Sequence, residues 1–214
     1  MLETILKGGP VTIPIILCSF VSLAVVYDRW CAFSANRKID TRALRSKVRA
    51  HLRDGDIEAA ISECTATRGP VASVLLAGLR AYQQLIKKNA GTEAIRAVVA
   101  EVMGEQSVQA LSVVNKRLDV LTTIGTAAPL FGMAGTVSGM IGSFAGMAKA
   151  GAAAGGSDMI AAGIAEALIT TASGLIIALF AVIPQSVYNR WSDEIELEIQ
   201  ETSSELVEFI LTHH

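Results

Sequence analysis

The sequence predicts an all-α integral membrane protein: three transmembrane helices with long cytoplasmic helical extensions, assembled into an oligomeric bundle. Three observations lead to this fold class: two adjacent apolar segments late in the chain, a third near the N-terminus, and basic residues concentrated between them. Hydrophobic residues make up 51% of the 214 positions and charged residues 18%. This composition is too apolar for an ordinary soluble domain and too charged for a protein wholly in lipid.

The two late segments are long enough to cross a bilayer. Residues 120–148 carry no charge in 29 positions, and residues 159–189 carry one charge in 31 positions, Glu166. A transmembrane helix needs about 20 apolar residues. We therefore predict the second transmembrane helix at 119–148, an external loop at 149–158, and the third transmembrane helix at 159–189.

The first span is predicted within residues 1–28, which include a periplasmic N-terminus. Residues 8–27 are uncharged, and 20 residues match the hydrocarbon thickness. A cleaved signal peptide is the competing interpretation. We favour a retained helix, because one lysine precedes the apolar run and no small-x-small cleavage site precedes Arg29.

The distribution of basic residues predicts the topology. Of the 18 basic residues, 15 lie between Arg29 and Arg117. The positive-inside rule places residues 29–118 in the cytoplasm as a helical region, with the N-terminus outside. The C-terminal helix, 190–214, is then cytoplasmic.

Glycines form a stripe along the second span. They recur every three or four residues, which places them on one helix face: Gly132, Gly135, Gly139, Gly142 and Gly146. Small residues allow close helix packing in lipid, where apolar surface alone does not drive association. Pro129 removes the helical donor of the Gly125 carbonyl, so we predict a kink there.

The third span carries a polar stripe, in which Glu166, Thr170 and Ser173 are spaced i, i+4 and i+7, with Thr171 beside them. A carboxylate at the bilayer centre costs roughly 2.5–3.5 kcal/mol on insertion scales and usually marks an ion path. The alternative for the hydroxyls is hydrogen bonding to carbonyls of the preceding turn.

The cytoplasmic region is expected to be all-helical. Asp40 and Thr41 are candidate caps for a basic helix, and Thr92 is a candidate cap for a long helix that continues unbroken to about residue 147. The acidic face of residues 190–211 is expected either to be solvated or to pair with the basic middle segment, within one subunit or between neighbours.

Several function classes find no support in the sequence. The three cysteines lack paired spacing, so neither disulfides nor a metal site is indicated. The net charge of −2 does not indicate nucleic-acid binding. We find no Walker loop, nucleophile elbow or catalytic constellation, so we expect no enzyme and no cofactor.

Two sequence blocks resemble a known family. APLFGMAGTVSGMIGSF over residues 128–144 resembles the signature APLLGLLGTVxGMIxxF, and GIAEALITTASGL over 163–175 resembles GIAEALxxTAxGL. Both signatures belong to the ExbB/TolQ branch of the ExbB/TolQ/MotA ion-channel family. The two blocks have the family's order and nearly its spacing.

The resemblance implies an inner-membrane motor subunit that uses the ion motive force to energise an envelope process such as TonB-dependent transport. It implies a homopentamer around two copies of an ExbD/TolR-type single-span partner, acting on a TonB/TolA-type periplasm-spanning protein. Thr136 and Thr171 match family positions whose hydroxyls line the ion path, and Glu166 matches the intramembrane glutamate.

Two alternatives remain open: a MotA-like stator for flagellar or gliding motility, and a membrane scaffold or receptor subunit that conducts no ions. The coupling ion is also open. Family resemblance favours H⁺, whereas the Thr170-Thr171 pair resembles sodium-type stators and supplies oxygen ligands for Na⁺. The Gly125 carbonyl would supply another oxygen if it faced the same cavity.

Overall fold

The computed structural model describes residues 11–37, 39–150 and 156–213, which form helices and no strand. The helices in chain order are α1 (Thr12–Asn36), α2 (Thr41–Arg53), α3 (Ile57–Ala66), α4 (Pro70–Lys87), α5 (Thr92–Asn115), α6 (Leu118–Ala150) and α7 (Gly156–His213). Three of these, α1, α6 and α7, contain segments long and apolar enough to cross a membrane. The all-α class and the three spans are thereby confirmed. The predicted loop falls largely on residues 151–155, which lie outside the described residues.

The chain divides into two compact units. The membrane unit comprises the described part of residues 1–29 together with Arg117–Val187, and thus holds the apolar parts of α1, α6 and α7. The helical unit comprises Trp30–Lys116 and the described part of Tyr188–His214, and thus holds the last turns of α1, all of α2 to α5, and the last part of α7.

Side-chain caps begin two helices of the helical unit. The Asp40 carboxylate accepts a hydrogen bond from the Ala43 N–H at 2.9 Å, as predicted for the start of α2. The Asp56 carboxylate caps α3 in the same way through the Ala59 N–H. The predicted Thr92 cap is wrong: Gly91 is the N-cap residue of α5, and no side chain bonds to that helix end.

The core of the helical unit is formed by apolar faces of α4 and α5. Leu79 on α4 and Ile95 and Val99 on α5 are fully buried. Gly78 allows the two helices to approach closely, because a Cβ there would lie 2.6 Å from the Met103 sulfur. The predicted helices at these positions are therefore stabilised by a packed interior.

The expectation of one helix from about 92 to 147 is wrong. Helix α5 ends at Asn115 and α6 begins at Leu118. Arg117 has a φ of +71°, in the left-handed region, and such a residue cannot continue a right-handed helical hydrogen-bond ladder. Neither glycine nor proline occupies the break, which is why the sequence did not signal it.

An aromatic cluster joins the last turns of α1 to α7 within the helical unit. The Phe33 and Tyr188 rings stack with centroids 5.5 Å apart, and Trp191 lies 5.7 Å from both. The Arg37 guanidinium lies 5.3 Å from the centroid of the Trp191 ring, within the range of a cation–π interaction. Such amphipathic aromatic residues are typical of the membrane–water interface.

The acidic tail pairs with the basic α2 helix inside a single chain. Arg45 donates to Glu201 at 3.0 Å and also to Glu205, and Arg49 lies 2.7 Å from Glu205. Of the arrangements left open by the sequence, the structure shows pairing within the subunit. We call these four side chains the arginine clasp.

The arginine clasp predicts a pH-dependent contribution to stability. Its hydrogen bond from Arg45 lowers the pKa of the Glu205 carboxyl in the folded chain. The stabilisation is therefore present above the unfolded-state pKa and is lost as pH falls through the folded-state pKa. We expect Glu205→Gln to lower the unfolding free energy of purified protein by about 1 kcal/mol at pH 7, because the pair is partly exposed.

Thermal unfolding at pH 7 and at pH 3 measures this effect. The gap between wild type and Glu205→Gln should shrink at the acidic pH, where the Glu205 carboxyl becomes protonated and loses its charge. Glu208→Gln on the exposed face of α7 is the matched control, since Glu208 forms no ion pair within the described residues. A gap that is constant with pH would contradict the assignment.

Candidate functional site

The α6–α7 hairpin is held together by glycines of the predicted stripe. A Cβ on Gly132 would lie 3.0 Å from the Thr171 Cα, and one on Gly139 would lie 3.1 Å from the Ala167 Cβ. Gly135 faces Thr170. Helix α7 contributes a glycine of its own: a Cβ on Gly174 would lie 2.5 Å from the Ala128 carbonyl oxygen. The two backbones are therefore packed as closely as small residues allow.

The other glycines of the stripe do not all share this role. A Cβ on Gly142 would meet no non-local heavy atom within 4 Å, so Gly142 faces open space in the single chain. Gly146 is half-buried. The N-terminal glycines of the stripe therefore pack against α7. Near Gly142, the small-residue surface of α6 is not covered by another helix of the described chain.

The predicted ion-path hydroxyls donate to backbone carbonyls. Thr136 bonds to the Met133 carbonyl at 2.7 Å, and Thr170 bonds to the Glu166 carbonyl at 3.0 Å, both within their own helices. Thr171 differs, because its hydroxyl donates across the hairpin to the Gly132 carbonyl at 3.0 Å. Thr171 therefore fixes the register of α6 against α7.

Glu166 and Thr171 do not lie on the same face of α7. Five residues separate them, which corresponds to about 140° around a helix. Thr171 is on the side that contacts α6, through its bond to Gly132. Glu166 is half-buried and shares its side of α7 with Ser173 and Ile177 at helical spacing. Within one chain the predicted path residues are thus divided between two faces.

Pro129 lies inside α6, and the helix continues across it. The kink stays a prediction. The sodium hypothesis offered the Gly125 carbonyl as an additional oxygen ligand if it faced the same cavity as Thr170, but Gly125 packs elsewhere along α7. A Cβ on Gly125 would lie 2.6 Å from the Val182 side chain, and Val182 is twelve residues from Thr170, or about 18 Å along α7.

Sequence reasoning missed two polar features of the membrane unit. Asp28, at the end of the first span, pairs with Arg29 at 2.8 Å and with Arg117 at 3.0 Å. Helix α1 also directs hydroxyls inward, since Thr12 and Ser22 are buried. Their spacing of ten residues places them about 80° apart around the helix, so it gave no clear periodic signal.

No group of three or more His, Cys, Asp or Glu side chains suited to a metal ion occurs in the part of the chain that the structure describes. The hairpin also carries an amide, because the Gln185 side chain on α7 donates to the Thr122 hydroxyl on α6.

The fold and this hairpin define a class: a polytopic all-α membrane protein with a glycine-packed helix pair and a single intramembrane carboxylate. Residues 66–201, well over half of the chain, match the MotA/TolQ/ExbB proton channel family. The chain belongs to that family, which confirms the resemblance in the two sequence blocks. It is also similar to the biopolymer transport protein ExbB of Neisseria gonorrhoeae, with 24% identity over 191 residues, 86% of this chain and 84% of that protein.

Proposed function

We propose that this protein is the ion-conducting subunit of an inner-membrane motor that energises an envelope process, such as TonB-dependent transport. The observation that carries the proposal is Glu166, a half-buried carboxylate within an otherwise uncharged apolar segment of α7. Placing a carboxylate within the bilayer costs free energy, and carboxylates found there usually mark a path for ions or protons. Family membership supports the same role.

The working complex is a homopentamer around two copies of an ExbD/TolR-type single-span subunit, with a TonB/TolA-type protein receiving the mechanical work. The N-terminus is periplasmic and the C-terminus cytoplasmic, as the basic residues predict. The uncovered small-residue surface at Gly142 supports contact with another helix. The aromatic cluster around Trp191 supports an interface at the cytoplasmic side.

The coupling ion is H⁺ rather than Na⁺. A sodium site needs several oxygen ligands around one ion. Thr170 is only 3% exposed, and the Gly125 carbonyl lies far from it, so the oxygens invoked for sodium do not converge. A proton needs only the Glu166 carboxyl and a chain of water.

The test is ion uptake by vesicles that contain the protein co-expressed with the ExbD/TolR-type subunit. We expect acidification of the lumen at a fixed membrane potential, with the same rate in sodium-free medium. Vesicles with either subunit alone are the control for leakage. Flux that disappears when Na⁺ is removed would contradict the proton assignment, and no flux of either ion would favour the non-conducting scaffold.

A further inference from the structure

A cavity of about 180 Å³ lies within the helical unit, between the end of α1 and helix α7. Three charged side chains line it: Arg37, which directly follows α1, and Glu194 and Glu198 on α7. The wall also includes two polar and two aromatic side chains, Asn36, Thr41, Phe33 and Trp191. Both signs of charge therefore reach one cavity.

The opposite charges of this cavity do not pair with each other. No ion pair joins Arg37 to Glu194 or Glu198 among the residues that the structure describes. The Arg37 guanidinium instead lies over the Trp191 ring, 5.3 Å from the ring centroid. In the arginine clasp of the same unit, by contrast, the opposite charges are in direct contact. The cavity thus separates one cation from two carboxylates.

The two carboxylates lie on the same side of α7 as Trp191. Trp191, Glu194 and Glu198 are spaced i, i+3 and i+7, which keeps them along one helix side. Glu198 is half-buried and Glu194 is exposed. This side of α7 therefore presents an aromatic ring followed by two acidic groups to the cavity.

The cavity is expected at the depth of the lipid headgroups. Trp191 lies two residues, or about 3 Å of helix rise, beyond the end of the predicted third span at Asn189. Glu194 lies about 4.5 Å further along the same helix. The headgroup region on each side of the hydrocarbon core is about 5–7 Å thick. The aromatic cluster, which includes Phe33 and Tyr188, is typical of the same level.

We propose that this cavity binds the headgroup of phosphatidylethanolamine, a zwitterionic lipid of the surrounding bilayer. The phosphate fits Arg37, because a guanidinium donates charge-assisted hydrogen bonds to phosphate oxygens. The primary ammonium carries three N–H donors and fits Glu194 and Glu198, which accept hydrogen bonds. One ligand with both charges thus matches the separated cation and carboxylates of the cavity. This binding is independent of ion conduction by the proposed motor.

Two other headgroups are the competing occupants. Phosphatidylglycerol has the phosphate but no cation, and two carboxylates against one guanidinium disfavour an anionic lipid. Phosphatidylcholine has both charges, but its quaternary ammonium has no N–H to donate to a carboxylate. Quaternary ammonium groups bind to aromatic faces, and the Arg37 guanidinium already covers one face of Trp191. The cavity therefore favours a primary ammonium.

Native mass spectrometry of the purified full-length protein tests this selectivity. Delipidated protein in mild detergent is titrated with phosphatidylethanolamine, phosphatidylcholine or phosphatidylglycerol of identical acyl chains. We expect a Kd for phosphatidylethanolamine at least about tenfold lower than for the other two, because hydrogen bonds between charged groups contribute that much or more. Equal affinity for the three lipids, or tightest binding of phosphatidylglycerol, would overturn the proposal.

Charge-removing variants locate the bound headgroup. Glu194→Gln/Glu198→Gln should raise the Kd for phosphatidylethanolamine to that for phosphatidylcholine, and Arg37→Gln should weaken binding of both zwitterionic lipids. Glu196→Gln is the matched control, because Glu196 is an exposed glutamate of the same helix that does not line the cavity. A preference for phosphatidylethanolamine that persists in the double variant would show that the headgroup binds elsewhere.

Thermal unfolding separates a loss of binding from a loss of folding. Without added lipid, the double variant should unfold at the wild-type temperature, since neither glutamate forms an ion pair within the described chain. Added phosphatidylethanolamine should raise the unfolding temperature of wild type and of Glu196→Gln, because a ligand that binds only the folded state stabilises it. The double variant should show no such rise. An equal rise in all three proteins would contradict the assigned site.

Discussion

Replacing Glu166 with alanine or glutamine is expected to reduce ion flux through the partner-bound complex to the level of vesicles that lack the partner. Glu166 is the single charged residue of 159–189, and 120–148 carry none. Glu166 is therefore the one carboxyl group that these segments offer as a proton carrier. Glutamine keeps the size and hydrogen-bonding capacity of the side chain, so its loss of flux would isolate the titratable proton.

Assembly should survive these substitutions. Glu166 is half-buried and its side chain forms no ion pair among the described residues, so packing does not depend on its charge. The matched control is Glu101→Gln on the exposed face of α5, which should conduct as wild type does. Normal work output by Glu166→Gln, with the complex intact in detergent, would contradict the assignment.

Thr171→Ala is expected to abolish work output as well, for a different physical reason. Its hydroxyl donates to the Gly132 carbonyl, and a hydrogen bond between membrane helices contributes about 0.6–2 kcal/mol, so its loss would allow α6 to shift against α7. Thr171→Ser retains the donor and should restore most of the output. Equal defects in the alanine and serine variants would instead indicate that the methyl group matters.

The membrane helices could be predicted from the sequence because the bilayer requires a particular length and composition of them. Uncharged runs of 20 residues or more identified the parts of α1, α6 and α7 that are long enough to cross the membrane. The glycine spacing similarly predicted a close helix pair, and Gly132, Gly135 and Gly139 do face α7. Both patterns are local in the sequence: the first is the length of an uncharged run, and the second is the spacing of glycines along one helix.

The sequence did not predict which neighbouring helix each polar residue of α7 faces. Periodicity gives the angle between Glu166 and Thr171, but it does not say which neighbouring helix covers either one. For Thr171, the hydrogen bond to the Gly132 carbonyl of α6 supplies that information. The break at Arg117 was equally hidden, because arginine carries no intrinsic signal for a left-handed residue.

Adding one methyl group to Gly135 is expected to destabilise the hairpin, and a second substitution should reverse the effect. A Cβ on Gly135 would overlap the Thr170 Cγ2 methyl, well inside van der Waals contact. Overpacking of this kind costs about 1–3 kcal/mol. Thr170→Ser removes that methyl and keeps the hydroxyl that bonds to Glu166, so Gly135→Ala/Thr170→Ser should recover stability close to that of Thr170→Ser alone.

Gly174→Ala should be at least as damaging and should resist such rescue. The added Cβ would meet the Ala128 carbonyl oxygen at 2.5 Å and the Gly132 Cα at 3.2 Å, and backbone atoms cannot be trimmed by substitution. Thermal unfolding of the purified complex measures both effects, with Gly104→Ala as the control, because a Cβ there meets nothing within 4 Å. Helix propensity alone makes that control neutral or stabilising by up to about 1 kcal/mol. An unchanged unfolding midpoint for Gly174→Ala would show that the hairpin is not closely packed at this crossing.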